Sequence, residues 1–302
     1  MDYARAMLLR CLGILVVVGF AVGCSKVDVA SPARAPAQLD AKFRVRHLDL
    51  HIACRGEGHP PVVLDAGLGN DSQTWSAVIP NVARKTRVCA YDRAGMGSSS
   101  GPAPRPHSNQ LMAKELHELL RAASVPEPYV LVGHSMGGAN VRYLAAESPQ
   151  SVVGVVLVDS MSEQQPARYW ALLPETVVSE FRAGLASMPE GIDFDTFRDG
   201  LERLATVNPS LGKVPLVVLT SGNPMPSPPG VGAELEQQLE AARRSMQSEL
   251  PRLSSNSVHV VVADAGHNIH VDQPDVVVAA INEVVDSVRQ RRPLRRQPIA
   301  RD

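Results

Sequence analysis

Short apolar segments alternate with segments of helical periodicity from residue 43 onward. Continuous apolar strands separated by helices predict a mostly parallel sheet with helices on both faces, and the first two strands are expected to form an antiparallel pair. The eight predicted strands are residues 43–46, 48–53, 61–64, 86–91, 129–133, 152–158, 215–220 and 258–263. The main predicted helices are residues 107–123, 139–147 and 276–289.

Two segments are too long to be simple connections between strands. Residues 162–212 show helical periodicity, which predicts a cap over the carboxyl edge of the sheet. Residues 223–256 form a second insertion with a charged helix near 232–250. Five aromatic residues of the cap either line an apolar acyl pocket or pack the cap helices onto the sheet. They are Tyr169, Trp170, Phe181, Phe194 and Phe197.

Composition excludes several classes of protein. The chain has 302 residues, is 44% hydrophobic, and balances 30 Lys and Arg against 31 Asp and Glu for a net charge of -1. A disordered chain would be poorer in apolar residues, and a nucleic-acid-binding protein would be more basic. The sequence lacks the several long apolar runs of a polytopic membrane protein. We expect no nucleic-acid partner.

The N-terminus predicts export. Residues 1–23 carry Arg5 and Arg10 ahead of an apolar run, which is typical of a signal peptide. The segment that ends at Cys24 resembles a bacterial lipobox and predicts a lipoprotein, anchored to the membrane through lipid on Cys24, on the periplasmic or cell-surface side. Cleavage after Gly23 by ordinary signal peptidase and a retained anchor are the alternatives.

The expected domain boundaries follow from composition. Residues 24–41 are rich in Pro, Ala and Ser, which predicts a flexible tether. Residues 42–292 then form one domain, and residues 293–302 form a basic tail that is expected to be solvated.

The strongest chemical signal is Gly133-His134-Ser135-Met136-Gly137, between a predicted strand and a predicted helix. A tight turn there would raise the serine hydroxyl above the sheet. Side chains two positions either side would collide, so both glycines are required. The motif predicts a nucleophilic Ser135.

With this motif, three further segments make the sequence resemble the α/β-hydrolase family over residues 43–289. Residues 64–69 resemble its oxyanion loop, and residues 265–267 match its catalytic-histidine loop. Residues 91–98 resemble its D-x-R-G-x-G-x-S turn, with Ala94 in place of the usual glycine. The resemblance implies an α/β-hydrolase fold, with an eight-stranded sheet and a helical cap.

His267 is the predicted base, because it follows the last strand, where the order of the family places the histidine. His134 adjoins the serine but is expected to point away from it. His270 forms an H-x-x-H pair with His267. No third ligand lies at a recognised spacing, so no metal is expected and His270 is interpreted as a packing residue.

No motif identifies the acid of the triad. The strand at 215–220 ends without the carboxylate that most of the family carries there. Asp159 ends the preceding strand, from which some members of the family take their acid, and is the predicted acid. Glu163 is its rival, and Asn223 would orient the imidazole more weakly.

The resemblance implies an oxyanion hole made by the backbone N–H groups of Leu68 and Met136. Asp92 and Arg93 are expected to hold neighbouring loops together. Cys54 and Cys89 lie in strand-like segments, and a disulfide is geometrically feasible if those strands are neighbours. The sheet order of the family implies that they are.

These residues predict a serine hydrolase that cleaves small-molecule carboxylic esters through an acyl-enzyme, without a cofactor. Serine at the nucleophile position argues against dehalogenase and epoxide-hydrolase chemistry. The alternatives are a peptidase-like or amidase-like acyl hydrolase and a catalytically inactive binding lipoprotein.

Overall fold

The computed structural model describes residues 38–103, 105–207, 210–226 and 230–295. Within this part of the chain, eight strands form one sheet, as the sequence predicted. The strands are β1 Leu39–Val45, β2 Leu48–Arg55, β3 Val62–Asp65, β4 Val88–Tyr91, β5 Tyr129–His134, β6 Val152–Val158, β7 Leu216–Ser221 and β8 Ser257–Val262.

The order of the strands is β1-β2-β4-β3-β5-β6-β7-β8. The β1–β2 and β2–β4 pairs are antiparallel, and all other pairs are parallel. Every residue of β3, β4, β5 and β7 is buried, because helices cover both faces of the central sheet. The edge strand β1 instead alternates between half-buried and exposed positions.

Helices lie on both faces of the sheet, and each face has its own apolar core. Ser108 caps one of them by accepting a hydrogen bond from the Leu111 N–H. The helices are α1 Ile79–Ala83, α2 Asn109–Ala122, α3 Met136–Glu147, α4 Gln165–Arg168, α5 Glu175–Ser187, α6 Phe194–Val207, α7 Ala233–Glu249, α8 Ile269–Asp272 and α9 Pro274–Gln290.

The predicted cap contains α4, α5 and α6, and the second insertion contains α7. Trp170 lies at the centre of the cap aromatics, with ring centroids 5.3–5.7 Å from those of Phe181, Phe194 and Phe197. Four of the five aromatic residues therefore pack against one another, which decides between the two interpretations that the sequence left open.

The ordered domain extends beyond both expected boundaries. β1 begins at Leu39, within the expected tether, because it pairs with β2 as far as Leu39 opposite Cys54. Leu294, within the expected tail, is buried, and its N–H donates to Asn256 Oδ1. The expected signal peptide and Cys24 lie outside the described residues. No helix in the described ranges is long and apolar enough to cross a membrane.

Cys54 on β2 and Cys89 on β4 face each other in register and form a disulfide. The two strands are antiparallel neighbours, which brings the Cα atoms to 4.0 Å. The bond closes a loop of 35 residues and so restricts the unfolded chain.

Candidate active site

Ser135 occupies the sharp turn between β5 and α3, with φ 51° and ψ -118°. A Cβ at Gly133 would lie 2.5 Å from the carbonyl oxygen of Gly137. A Cβ at Gly137 would overlap the carbonyl oxygen of Asp65. Both glycines are therefore required by main-chain atoms that cannot move aside, as the motif predicted.

The turn is also bonded to the end of β6. The Ser135 N–H donates to Val158 O at 3.1 Å, and Ser135 O accepts the Met161 N–H at 3.0 Å. These bonds hold the serine beside the segment that carries Asp159.

Asp159 Oδ2 lies 2.7 Å from Nδ1 of His267. Because an ionised carboxylate can only accept, Nδ1 carries the proton and Nε2 presents its lone pair. Asp159 is buried, whereas the His267 ring is partly exposed. Ser135, Asp159 and His267 all line one cavity.

The other candidates for the acid have different partners. Glu163 pairs with the buried guanidinium of Arg142 at 2.8 Å, and this charge lowers the pKa of Glu163 against the opposing effect of burial. The Asn223 N–H donates to Ala265 O. Of the three predicted candidates, Asp159 is the one whose side chain is hydrogen-bonded to His267.

The second insertion supports the turn that carries Asp159, which has a positive φ of 39°. Arg243 Nη1 donates to Asp159 Oδ1 at 3.2 Å, and the Ser221 N–H donates to the same oxygen at 3.0 Å. Gln247, one turn further along α7, donates to Ser160 O at 2.7 Å. Helix α7 thus holds both residues of the turn through buried hydrogen bonds.

The loop at residues 65–70 adjoins the nucleophile. A Cβ on Gly67 would lie 3.3 Å from Ser135 Cβ, so this glycine permits the close approach. Leu68 follows it directly. Met136 is the first residue of α3, where N–H groups have no partner within the helix and the helix dipole favours negative charge.

The buried side chain of Arg93 is hydrogen-bonded to this loop. Its guanidinium donates to the carbonyl oxygens of Ala66 and Gly67 at 2.8 and 2.6 Å, and to Asp65 Oδ1 at 2.8 Å. Burial raises the pKa of Asp65, although the charge of Arg93 opposes that change. The expectation that Arg93 links loops agrees with these contacts.

Comparison with known proteins places the chain in a family. A family model described as the alpha/beta hydrolase fold matches residues 60–222. The chain is 30% identical to YqjL of Bacillus subtilis (strain 168), over 76% of this chain and 85% of that protein.

The chain belongs to the α/β-hydrolase family. RutD of Klebsiella pneumoniae (strain 342), which is named for carbamate hydrolysis, is 36% identical, but the match covers only 36% of this chain and 41% of RutD. An esterase structure from Thermogutta terrifontis aligns with a TM-score of 0.59 at 23% identity, over 83% of this chain and 98% of the esterase. At that identity the structural likeness shows the fold alone.

Within this hydrolase fold, His134 and His270 form a buried layer behind His267. His134 Nε2 donates to His267 O at 3.0 Å, and His270 Nε2 lies 2.7 Å from Thr74 Oγ1. Burial lowers the pKa of His134 well below its usual value and that of His270 to about 4. Both are therefore neutral packing groups. Among the described residues, no group of three or more His, Cys, Asp or Glu side chains is arranged to hold a metal ion.

The cavity beside Ser135 is small, at about 90 Å³. Tyr169 is the one cap aromatic on its wall within the described chain, and every other lining residue is polar or methionine. The lining residues are Ser135, Asp159, Ser160, Met161, Ser162, Gln165, Tyr169, Met225, Arg243, Met246, Gln247 and His267.

Three residues at the site escaped the sequence analysis. Arg243 and Gln247 contact the Asp159 turn, and Glu190 contacts Arg93 and the Gly69 N–H. All three lie in the insertions, outside any motif, and reach partners more than 80 residues away in the chain. No local sequence pattern distinguishes them from other polar residues of helices and loops.

Proposed function

We propose that this chain is a serine hydrolase that cleaves small carboxylic esters, with Ser135 as nucleophile, His267 as base and Asp159 as acid. The observation that carries the proposal is the hydrogen bond from His267 to the buried Asp159, on the wall of the cavity that Ser135 also lines. A serine hydroxyl is a weak nucleophile until an adjacent base accepts its proton.

Acylation follows from this arrangement. His267 Nε2 accepts the Ser135 proton as Oγ bonds to the acyl carbon, and the carbonyl electron pair moves onto oxygen. Collapse of this tetrahedral oxyanion breaks the bond to the alcohol, which leaves with the proton from His267. Asp159 remains ionised throughout and stabilises the imidazolium.

Water then completes the cycle. His267 accepts a proton from water as the hydroxide oxygen bonds to the acyl carbon, and a second oxyanion forms. Its collapse releases the carboxylic acid, and the proton on His267 returns to Ser135. No other co-reactant is needed.

The backbone N–H groups of Leu68 and Met136 are the proposed oxyanion donors. The position of Met136 at the start of α3 and the close approach of the Gly67 loop to Ser135 support this role. Donors held by the fold need no rearrangement when the charge develops in the transition state.

The size of the cavity favours a short acyl group. Its free volume of about 90 Å³ is smaller than the cavity of roughly 150 Å³ that accepts benzene in a protein interior.

Hydrolysis of a carbamate or amide is the second candidate. The likeness to RutD, which is named for carbamate hydrolysis, favours it. The same proton transfers would serve, with nitrogen rather than oxygen as the leaving atom.

The sequence of residues 1–24 supports the further proposal that the protein is exported and carries lipid on Cys24. The Cys54–Cys89 disulfide agrees with an oxidising compartment.

The proposed function is tested by labelling with a fluorophosphonate and by turnover of p-nitrophenyl esters, in wild type and in Ser135→Ala. We expect stoichiometric labelling of the wild type and a fall in kcat of about 10⁶-fold in the variant, since the nucleophile is lost. A chain-length series should favour acetate and propionate.

Ser151→Ala is the matched control, because Ser151 is also buried and hydrogen-bonded, to Glu127, but is remote from the cavity. Labelling that persists in Ser135→Ala contradicts the proposal. Turnover of carbamates or anilides without turnover of esters replaces it with the second candidate.

A further inference from the structure

A buried carboxylate of the cap reaches the loop beside the nucleophile. Glu190 lies between α5 and α6, and its side chain is fully buried. Its Oε1 accepts from Arg93 Nε at 2.9 Å and from Arg93 Nη2 at 2.7 Å, and its Oε2 accepts the Gly69 N–H at 2.9 Å. A buried charge is costly unless it is paired and hydrogen-bonded, and these contacts meet both requirements.

The two peptide groups that flank Leu68 are both held by this cluster. Arg93 Nη2 donates to Gly67 O at 2.6 Å, which is the carbonyl of the peptide whose N–H belongs to Leu68. Because C=O and N–H point in opposite directions in a trans peptide, this bond directs the Leu68 N–H away from Arg93. Glu190 holds the next peptide through the Gly69 N–H.

The cap segment around Glu190 is docked without help from its side chain. The Ala103 and His107 N–H groups donate to Pro189 O and Gly191 O. Arg105 donates to the carbonyl oxygens of Met188 and Ile192. The main chain of residues 188–192 therefore stays in place if the Glu190 carboxylate is altered.

We propose that Glu190 is a positioning residue, which orients the Leu68 N–H for the oxyanion by holding Arg93 with one oxygen and the Gly69 peptide with the other. This inference rests on the proposed function, because it assigns the Leu68 amide to the transition state. Through Glu190, the geometry of the oxyanion loop depends on the cap.

The test is Glu190→Gln, which keeps the shape but provides one acceptor oxygen where the carboxylate provides two. We expect kcat per fluorophosphonate-titrated site to fall by about 10- to 100-fold, somewhat less than for loss of an oxyanion donor. KM should stay within about threefold, and affinity for a phenylboronic acid, which mimics the tetrahedral state, should fall with kcat. Normalising to titrated sites removes any effect of partial unfolding.

Arg105→Met is the matched control. It removes two hydrogen bonds from the same cap segment, to Ile192 O and Met188 O, and neither acceptor belongs to Arg93 or the Gly69 loop. We expect its kcat per titrated site to stay within about twofold of wild type. An equal loss in both variants overturns the proposal, because general docking of the cap would then explain the effect.

Glu190→Asp is the second variant, in case the glutamine variant does not fold. It keeps the negative charge beside Arg93 but shortens the reach to Gly69, so we expect a similar loss of kcat. Wild-type kcat and boronate affinity in either folded variant overturn the proposal.

Hydrogen exchange at the Gly69 amide separates this inference from the proposed function. Exchange should be faster in Glu190→Gln than in wild type and unchanged in Arg105→Met, whatever substrate the protein takes. A wild type without ester turnover contradicts the proposed function, whereas unchanged exchange at Gly69 overturns the role of Glu190.

Discussion

The loop at residues 65–70 and the turn at residues 159–160 both adjoin Ser135, but different kinds of contact hold them. Buried charges on Arg93 and Glu190 hold the loop, and neither residue is among the described residues that line the cavity. Helix α7 holds the turn through Arg243 and Gln247, and both of these side chains form part of the cavity wall.

Because of this difference, changes on the two sides should affect kcat and KM differently. A change in the charges beneath the loop alters the geometry of the proposed oxyanion donors without touching the substrate. A change on α7 alters the surroundings of Asp159 and the surface that the substrate meets. We therefore expect kcat effects alone on the loop side and combined kcat and KM effects on the turn side.

Between the loop and the turn, the largest expected effect is that of Asp159→Asn on the turn side. Both oxygens of Asp159 accept hydrogen bonds, whereas the uncharged amide has one acceptor oxygen. The variant therefore loses the group that fixes the His267 tautomer and stabilises the imidazolium, and kcat should fall by about 10⁴-fold. Steady-state kinetics per titrated site measures this.

Glu163→Gln is the control for that comparison, since Glu163 pairs with Arg142 rather than with His267. Its kcat should remain within about threefold of wild type. If Glu163→Gln shows the large loss of kcat and Asp159→Asn does not, then Glu163 is the acid, and the contact of Arg243 with Asp159 does not support the triad.

A smaller effect is expected for Arg243→Met. Arg243 Nη1 donates to Asp159 Oδ1, so its loss leaves the carboxylate less firmly placed against His267 and kcat should fall by about 10-fold. KM should rise as well, because Arg243 is part of the cavity wall.

Arg244→Met is the control, because the adjacent Arg244 contacts Glu240 and Gly222 O and does not line the cavity. Its kcat and KM should match those of the wild type, whereas Glu190→Gln should alter kcat alone. A raised KM in the Glu190 variant would break the separation between the two sides.

The smallest expected effect is on the free energy of unfolding, and it concerns the carboxyl group of Asp92. Asp92 is buried, which raises its pKa, but the N–H groups of Ser98 and Ser72 outweigh burial and the pKa is lowered. A carboxyl with a depressed pKa in the folded state stabilises the protein above its unfolded pKa, and that stability is lost as pH falls.

Asp92→Asn should accordingly lower the free energy of unfolding at pH 7 by about 1.5–3 kcal/mol, and the difference from wild type should shrink below about pH 4. Urea denaturation at both pH values measures it. Asp49→Asn removes an exposed pair with Arg44 and should cost less than about 1 kcal/mol. A deficit for Asp92→Asn that does not depend on pH would contradict this account.

Much of the scaffold could be predicted from the sequence because its signals are local. Buried strands are continuously apolar, and the turn at Ser135 requires glycines at 133 and 137. The boundaries were less accurate, since Leu39 and Leu294 are ordered by pairing and packing with residues distant in the chain.

Local signals in the sequence did not identify the acid of the triad or the role of the cap aromatics. Asp159 and Glu163 are both carboxylates near the end of one strand, and only their partners differ, His267 for one and Arg142 for the other. The cap aromatics fit either a pocket or a core until the ring contacts of Trp170 are known.

The sequence by itself determined the order of strands and helices along the chain and the glycine-bounded serine turn, since backbone sterics and burial act on neighbouring residues. His267 was predicted from the resemblance to the family. Only the tertiary structure decided that Glu190 and Arg243 reach the two sides of the site. Their partners lie 97 and 84 residues away in the chain, and a contact across that distance depends on how the insertions pack on the sheet.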